Sequence, residues 1–355
     1  MRINSFKAIG FDSKFWKTPN SEIFNNLDTV NKIQTTENVI TFLDDQISKG
    51  VAKIDSCPAI YVLRLTNHFK SVISIVAEID YNDRLALFPN EKTDYKKLEC
   101  YKKFFNRYRL QTTPVLTFYK SETPIKLLVE KIISNVPSSI ADIRGTLYEL
   151  WKVREQKEII EIQSNFRNIN KLYIADGHHR FSIFNDSTLK LSSRIMIAIT
   201  DSNSILLKSC HRVIMGNINP DWMNAISNFA VVKFVEDCGT YGKNNIVLKF
   251  RDGKSFEIIA KHGNGYFHDM VKRDIIEGAF KVSDYENSVF PIPGTFSIHE
   301  SKRIFELYQG SSAIIFVPHI SITDFLNVVD SGEKLPPTST WFEPKVTDGF
   351  IVRRF

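Results

Sequence analysis

Cysteine is scarce in this sequence of 355 residues, which contains four, and no two of them form a C-x-x-C pair. Scattered cysteines argue against a zinc ribbon or a disulfide scaffold, and they fit a reducing compartment. No uncharged apolar run approaches the roughly 18 residues of a membrane span, and residues 1–24 contain no signal-peptide core. We therefore expect a cytoplasmic protein that does not contact a membrane.

Three motifs that would specify a chemistry are also missing. The sequence has no G-x-x-x-x-G-K-[ST] loop, no G-x-G-x-x-G fingerprint and no G-x-S-x-G nucleophile elbow. Any phosphate site is therefore neither a Walker nor a Rossmann site, and nothing indicates a serine hydrolase of the α/β type.

What is present is the composition of a globular protein, with 43% hydrophobic and 24% charged residues. Strand-like and helix-like segments alternate without a clean βαβ run, which predicts an α+β fold. Strands are predicted at Ile60–Leu65, Ser71–Asp80, Pro114–Tyr119, Thr146–Val153, Lys171–Ala175, Arg194–Thr200, Val231–Val235, Asn245–Phe250, Ser255–Ala260, Ala313–Val317 and Phe350–Arg353. Helices are predicted at Pro124–Val136, Glu155–Ile169, Ser297–Tyr308 and Ser321–Val329, and one begins near His178.

The positive charge is concentrated in one segment, Lys92–Arg109. The segment contains seven basic and two acidic residues, so it carries most of the chain's net charge of +6. Five aromatic residues are interleaved with the basic ones. A nucleic-acid surface would use the bases for phosphates and the rings for stacking. We favour a second interpretation, an amphipathic helix whose rings lie in the core. A third interpretation is a positively charged rim that attracts a phosphorylated small ligand.

The densest polar cluster is KLYIADGHHRFSIF, Lys171–Phe184. A strand, a tight turn and a helix start are predicted in succession, which is typical of an anion site. Gly177 should let a ligand approach the backbone closely. His178, His179 and Arg180 are candidate donors to phosphate. Asp176 is a candidate Mg²⁺ ligand. Adjacent histidines on a helix diverge by about 100°, so they do not chelate zinc as an i, i+4 pair does.

Two motifs make the chain recognisable. YIADGHHR resembles the signature of the family catalogued as domain of unknown function 1015, and LPPTSTWFEPKVTDGF, Leu335–Phe350, resembles its PPKSTWFxPK ending. The segments TPVLTFY, TLYELWKV and CHRVI also fall where that family has similar segments. The resemblance therefore covers most of the chain.

Around DGHHR the family is similar to the ParB/sulfiredoxin superfamily, whose G-x-x-R box binds nucleotide phosphates. Sulfiredoxin has its catalytic cysteine where this sequence has His178, so sulfinic acid reduction is disfavoured. The nearest match is the free-serine kinase branch, which takes its catalytic glutamate from an upstream H-E-x-T. Here Glu91 and Thr93 match that pattern, and Asn90 replaces the histidine.

The resemblance implies a set of site residues and a domain organisation. Catalysis is assigned to Glu91, Asp176 and His179; phosphate or nucleotide binding to Gly177, His178, His179, Arg180, Arg212, Ser339, Thr340 and Lys345; and the metal to Asp176. A second departure from the family is Thr338, where lysine is common. The implied domains are a ParB/sulfiredoxin-like catalytic core (1–200), a β-rich region (201–290) and a C-terminal α/β segment that folds back on the core (291–355).

The function implied by the resemblance is a small-molecule kinase that uses Mg²⁺ and transfers phosphate from ATP or ADP to the hydroxyl of serine or a similar hydroxy amino acid. Glu91 would be the general base. The alternatives are a nucleotide-binding regulatory protein without turnover, a nucleotide hydrolase, and a nucleic-acid-binding protein that uses Lys92–Arg109. A homodimer is left open by the sequence.

Overall fold

The computed structural model describes residues 1–18, 39–93, 95–120, 125–184, 193–236, 245–261 and 267–355, without the side chains of Lys96 and Lys97. The chain divides into two compact units, the first of Met1–Leu206 with Phe342–Phe355 and the second of Leu207–Trp341. The domain boundaries that the sequence predicts, near residues 200 and 290, refer to functional domains and remain a prediction. In the described part of the chain no helix is long and apolar enough to cross a bilayer.

The first unit contains a mixed sheet with helices against it. Its strands are β1 (Ile3–Asn4), β2 (Ile9–Phe11), β3 (Ala52–Ile54), β4 (Ile60–Thr66), β5 (Ser71–Asp80), β6 (Leu87–Pro89), β7 (Leu110–Gln111), β8 (Val115–Tyr119), β9 (Ser139–Ile143), β10 (Thr146–Val153), β11 (Leu172–Asp176) and β12 (Arg194–Asp201). Its helices are α1 (Val39–Ser48), α2 (Tyr95–Tyr108), α3 (Ile125–Ile133), α4 (Gln156–Arg167) and α5 (His178–Phe184), with 3-10 turns at Phe15–Lys17 and Tyr81–Ala86.

Nine strands of the described residues form the main sheet, in the order β6-β11-β8-β12-β5-β4-β10-β9, with β1 also paired to β5. The runs of β-branched residues in β4, β5 and β12 place these strands in the middle of the sheet, where most of their side chains are buried. The β4–β5 pair is antiparallel, whereas β6–β11 and β8–β12 are parallel. The α+β prediction is confirmed, and the sheet is of mixed direction.

Helical spacing of apolar residues explains why α3 packs on this sheet. Ile125, Leu128, Val129 and Ile132 repeat on one face, and all four are buried in the core of the first unit. The predicted helix Pro124–Val136 is shorter in the structure, since it ends at Ile133 and Val136 is 89% exposed. Pro124 lies outside the described residues.

The basic segment forms the amphipathic helix α2. Four of its rings, those of Tyr101, Phe104, Phe105 and Tyr108, are buried, and only Tyr95 among the aromatic residues of the segment is exposed. Buried rings are not available to stack on bases. The interpretation as an amphipathic helix with its rings in the core is therefore confirmed for these four rings.

The second unit is built on an antiparallel sheet. Its strands are β14 (His211–Met215), β15 (Ala230–Val235), β16 (Asn245–Phe250), β17 (Ser255–Ala260), β18 (Val289–Ile292) and β19 (Ser311–Phe316), in the order β15-β17-β16-β19-β14-β18. Its helices are α6 (Trp222–Ser227), α7 (Phe267–Asp269) with the π-helix Met270–Ala279, α8 (Tyr285–Ser288), α9 (Ser301–Leu307) and α10 (Ile322–Asp330). The remaining strands among the described residues are β13 (Leu206–Ser209), β20 (Thr340–Glu343) and, in the first unit, β21 (Arg353–Arg354).

Alternation along the strands gives the second sheet two buried faces. Ile246 and Leu248 of β16 belong to one hydrophobic cluster, and Val247 between them belongs to another. The predicted helix Ser297–Tyr308 is in fact a 3-10 turn, Ile298–Glu300, followed by α9. The predicted strand Phe350–Arg353 is also displaced, because the strand is Arg353–Arg354.

Candidate functional site

The parallel pairing of β6 with β11 brings the two chemistry-bearing segments of the first unit together. Leu87 lies opposite Leu172, and Pro89 lies opposite Ile174. Because parallel strands end at the same edge of a sheet, the residues after each strand are neighbours, and ligands commonly bind at such edges. The hydroxyls of Thr93 and Ser182, 2.9 Å apart, join the loop after β6 to α5.

Asp176, the last residue of β11, forms ion pairs with two basic side chains. Its Oδ1 accepts a hydrogen bond from Lys345 Nζ at 2.9 Å, and its Oδ2 accepts one from Arg180 Nη2 at 3.0 Å. Burial raises the pKa of the Asp176 carboxyl, but Lys345 and Arg180 outweigh it and hold this pKa well below its usual range. The carboxylate is therefore ionised at neutral pH and fixes the position of both cations.

Gly177 allows the turn between β11 and α5. Its φ is +92°, and a Cβ at this position would lie 2.8 Å from Arg180 Nη2. The guanidinium of Arg180 thus lies against the glycine backbone, is 5% exposed and also approaches the carbonyl oxygen of Pro114 at 3.5 Å. Arg180, expected from the sequence to bind phosphate, is here part of the ion pair that positions Asp176.

His178 is hydrogen-bonded to Asn90, the residue that replaces the histidine of the family pattern. Its Nε2 forms a short hydrogen bond with Oδ1 of Asn90, and both side chains are buried. Burial lowers the pKa of His178, and the negative charges of Glu91 and Asp176 offset this only in part, so the ring is neutral at pH 7. Since an amide oxygen only accepts, Nε2 carries the proton and Nδ1 carries the lone pair.

Glu91 and His179 complete the cluster in the first unit. Glu91 is half-buried, and it lies close enough to His178 for its charge to act on the pKa of that ring. The ring of His179 stacks on Tyr101 of α2, with centroids 6.1 Å apart and planes 15° apart. The first unit therefore gathers a half-buried carboxylate, a neutral imidazole and a fixed lysine at one sheet edge.

The other predicted site residues lie in the second unit. Arg212 is 5% exposed and donates to the carbonyl oxygens of Cys210, His211 and Thr338, at 3.1, 3.0 and 2.8 Å. The Ser339 hydroxyl is buried and donates to the carbonyl oxygen of Pro336 at 2.7 Å. Cys210 Sγ donates to the Thr340 carbonyl oxygen at 3.2 Å. Arg212, Ser339 and Thr340 therefore form a separate cluster around the start of β14.

The residues present do not fit a metal ion held by Asp176. Both of its carboxylate oxygens accept hydrogen bonds from cations, and a divalent ion needs oxygen ligands that are not so engaged. In the part of the chain that the structure describes, no three His, Cys, Asp or Glu side chains are grouped closely enough to hold a metal. The arrangement instead fits a carboxylate that orients Lys345 and Arg180.

Two residues of these clusters escaped sequence reasoning. Asn90 was noted only as a departure from the family pattern, and its bond to His178 depends on the pairing of β6 with β11. His268, a buried histidine of the second unit whose pKa burial lowers to about 3, has no motif around it. A lone histidine next to apolar residues gives no signal in a single sequence, so only the fold could identify it.

The model of the family described as "Protein of unknown function (DUF1015)" matches residues 20–282. No curated protein matches the chain. Among solved structures, free serine kinase in complex with AMP is 15% identical with a TM-score of 0.44, and the match covers 78% of this chain and 92% of that chain. A C-terminally truncated SbnI from Staphylococcus aureus is 12% identical with a TM-score of 0.40, covering 77% and 85%. A conserved hypothetical protein from Pyrococcus furiosus is 14% identical with a TM-score of 0.44, covering 77% and 93%. At these values the structural likenesses carry no argument about activity.

Proposed function

The chain belongs to the DUF1015 family, and we propose that it is a phosphotransferase that moves a phosphoryl group from a nucleotide, ATP or ADP, to an alcohol. The acceptor in this proposal is the hydroxyl of serine or a similar hydroxy amino acid. The first unit would be the ParB/sulfiredoxin-like nucleotide-binding core that the sequence motifs imply. The name of the family supplies no activity, so the proposal rests on the residues of the first unit.

The observation that carries the proposal is the register of β6 and β11. It places Glu91 beside the Asp176–His178 turn, although 84 residues lie between Glu91 and Asp176 along the chain. A carboxylate, a neutral imidazole and a lysine ammonium then lie at one edge of the sheet. Phosphoryl transfer requires positioning and charge stabilisation more than covalent chemistry by the protein, and these groups offer both.

In the proposed reaction Glu91 accepts the proton of the acceptor hydroxyl. The hydroxyl oxygen forms a bond to the terminal phosphorus, while the bond from that phosphorus to the bridging oxygen breaks and leaves ADP from ATP, or AMP from ADP. Lys345, held by Asp176, offsets the negative charge of the transferred group. His178, neutral and anchored by Asn90, would orient one of the oxygens.

Glu91→Gln tests the role of the base. The amide keeps the size of the side chain but does not accept a proton, so turnover should fall by at least about 100-fold while nucleotide binding changes little. Purified protein, Mg-nucleotide and a panel of hydroxy amino acids led by L-serine would be followed by phosphorus NMR. The matched control is Glu99→Gln on the exposed side of α2, which should keep full activity.

The products decide between the proposal and its alternatives. A new phosphomonoester that disappears with Glu91→Gln supports the phosphotransferase. Free phosphate alone would replace it with a nucleotide hydrolase, and bound nucleotide without any product would replace it with a regulatory protein. Full activity in Glu91→Gln would remove Glu91 from the mechanism.

A further inference from the structure

The first unit contains a cavity of about 310 Å³ that is separate from the candidate site. Its walls come from the β2–β3 pair on one side and from β9 and β10 on the other. In the strand order of the main sheet β9 stands at one end, whereas β6, the strand before Glu91, stands at the other. The volume is within the range of cavities that hold small molecules.

Two opposite charges lie on the same wall of this cavity. Gly10 of β2 is paired with Lys53 of β3, so their side-chain positions share one face. Asp12 lies two residues beyond Gly10 and so on that face as well, and its N–H donates to the carbonyl oxygen of Val51 at 2.8 Å. Asp12 and Lys53 both line the cavity as diagonal neighbours, whose Cα atoms lie roughly 7–8 Å apart.

These two side chains do not pair with each other. Among the described residues, neither the Asp12 carboxylate nor the Lys53 ammonium has an ion-pair partner. The carboxylate is nevertheless held in place, because its Oδ1 accepts a hydrogen bond from the backbone N–H of Lys14 at 2.8 Å. A gap between two opposite charges fits a ligand that itself carries one charge of each sign.

Lys152 of β10 supplies a second positive charge to the cavity. Its Nζ lies 2.6 Å from Oδ1 of Asp55, and Arg154 Nη2 lies 3.3 Å from the same oxygen. Asp55 is 8% exposed, and because this one carboxylate is shared by two cations, one positive charge is left uncompensated. The cavity therefore carries an excess of positive charge at Lys152, in addition to Lys53, and a negative charge at Asp12.

The rest of the lining combines buried apolar groups with hydroxyls. Phe11, Leu150 and Phe350 line the cavity and are each less than 9% exposed, whereas Ser13 and Ser138 are exposed. An apolar group of a ligand that contacts the three buried side chains is removed from water, which favours binding.

We propose that this cavity binds a free α-amino acid with a large apolar side chain. The carboxylate would accept from Lys53 and Lys152, the ammonium would donate to Asp12, and the side chain would contact the buried apolar groups. In an α-amino acid one carbon separates the two charged groups, and a charge-assisted hydrogen bond of about 2.8 Å at each end lets the ligand span a diagonal pair. This second site requires neither Glu91 nor turnover at the candidate site.

Calorimetric titration of the full chain with L-phenylalanine tests the site, beside two analogues that each lack one charge. The analogue 3-phenylpropanoate keeps the carboxylate but has no ammonium, and phenethylamine keeps the ammonium but has no carboxylate. We expect each analogue to bind at least about tenfold more weakly than L-phenylalanine, since a hydrogen bond between charged groups is lost.

Substitutions assign the two contacts. Asp12→Asn keeps an oxygen that accepts from the Lys14 N–H, but it should bind L-phenylalanine and 3-phenylpropanoate about equally. Lys53→Gln should reduce the preference for L-phenylalanine over phenethylamine. Matched controls are Asp142→Asn, an exposed carboxylate outside the cavity that accepts from the backbone N–H of Gly145 at 3.1 Å, and Lys7→Gln at an exposed position. Both controls should bind as the wild type does.

A third variant blocks the cavity. A Cβ at Gly10 would meet nothing within 4 Å, and the backbone there is outside the left-handed region, so Gly10→Leu should fold and abolish binding. Circular dichroism checks that it is folded. No binding of L-phenylalanine, equal affinity for the three ligands, a preference over 3-phenylpropanoate that survives Asp12→Asn, or full binding in folded Gly10→Leu would overturn the proposal. L-phenylalanine has no side-chain hydroxyl, and Glu91→Gln should still bind it, so a failure of the phosphotransferase assay and a failure of this site are distinguishable.

Discussion

The two units treat buried charge in opposite ways. In the first unit five ion pairs match a buried or half-buried carboxylate with a cation, namely Asp176–Lys345, Asp176–Arg180, Glu78–Arg353, Asp55–Lys152 and Arg64–Glu149. In the second unit Arg212 has only carbonyl partners among the described residues, and the histidines near it are kept neutral by burial.

This difference separates two ways of building a polar site. Paired charges fix the geometry of side chains, as Asp176 does for Lys345. A charge without an internal partner leaves a field that a ligand can neutralise, so it favours binding rather than rigidity.

The largest expected effect comes from breaking a buried pair in the first unit. Among the described residues, Arg353→Met leaves Glu78, which is 4% exposed, with Arg194 at 3.7 Å as its one cation partner, and we expect the free energy of unfolding to fall by about 3 kcal/mol. Urea denaturation of wild type and variant measures the loss. Arg212→Met in the second unit strands no carboxylate and should cost less.

The neighbouring residue supplies the control for that experiment. Arg354 pairs with Asp44 at the surface, where both side chains are more than a third exposed, so Arg354→Met should change stability by less than about 1 kcal/mol. Equal losses in Arg353→Met and Arg354→Met would contradict the view that burial of the pair decides the cost.

Sequence reasoning located the strongly patterned elements of both units. The strands β4, β5 and β10 and the helix α3 were predicted within a few residues, because their apolar periodicity persists over five or more residues. The strand β6 was missed because three residues ending in proline carry no periodicity. The π-helix Met270–Ala279 was missed as well, since nothing in a sequence pattern distinguishes it.

The candidate sites were predictable only in part. Asp176, Gly177 and His178 were identified because they are consecutive, and Glu91 was identified through family resemblance. Their proximity depends on the parallel pairing of β6 with β11, which is a tertiary contact that no local pattern encodes. The burial of His268 in the second unit shows the same limit, because no motif surrounds this histidine in the sequence.

The second effect in size is a difference in acid sensitivity between the units. Burial lowers the pKa of His211 and of His268 to about 3 in the folded chain, whereas the pKa of an unfolded histidine is about 6.5. Below pH 6.5 the unfolded state therefore binds more protons than the folded state. The second unit should therefore lose stability as the pH falls from 6.5. The pKa of Asp176 is depressed by folding, so its contribution is complete above about pH 4 and is lost only below it.

Hydrogen exchange followed by mass spectrometry, corrected for intrinsic exchange rates, compares the units at pH 7 and pH 5. We expect protection to fall in β14 and β19 of the second unit and to persist in β5 and β11 of the first. His268→Gln should reduce the fall, and His299→Gln, at an exposed position, should leave it unchanged. A uniform loss of protection across both units would contradict the expected difference in acid sensitivity between them.

The smallest effect separates a glycine that a charge pair needs from one that only a turn needs. Gly177 and Gly253 have φ values of +92° and +95°, so alanine is strained at both, by about 1 kcal/mol. At Gly253 in the second unit nothing lies within 4 Å of the added Cβ, whereas at Gly177 the Cβ would meet Arg180 Nη2 at 2.8 Å. Relief requires the guanidinium to leave Asp176, so Gly177→Ala should lose about 2 kcal/mol in urea denaturation, roughly twice the loss of Gly253→Ala. Equal losses would mean that the Asp176–Arg180 pair contributes little to the first unit, and that only Lys345 positions the carboxylate.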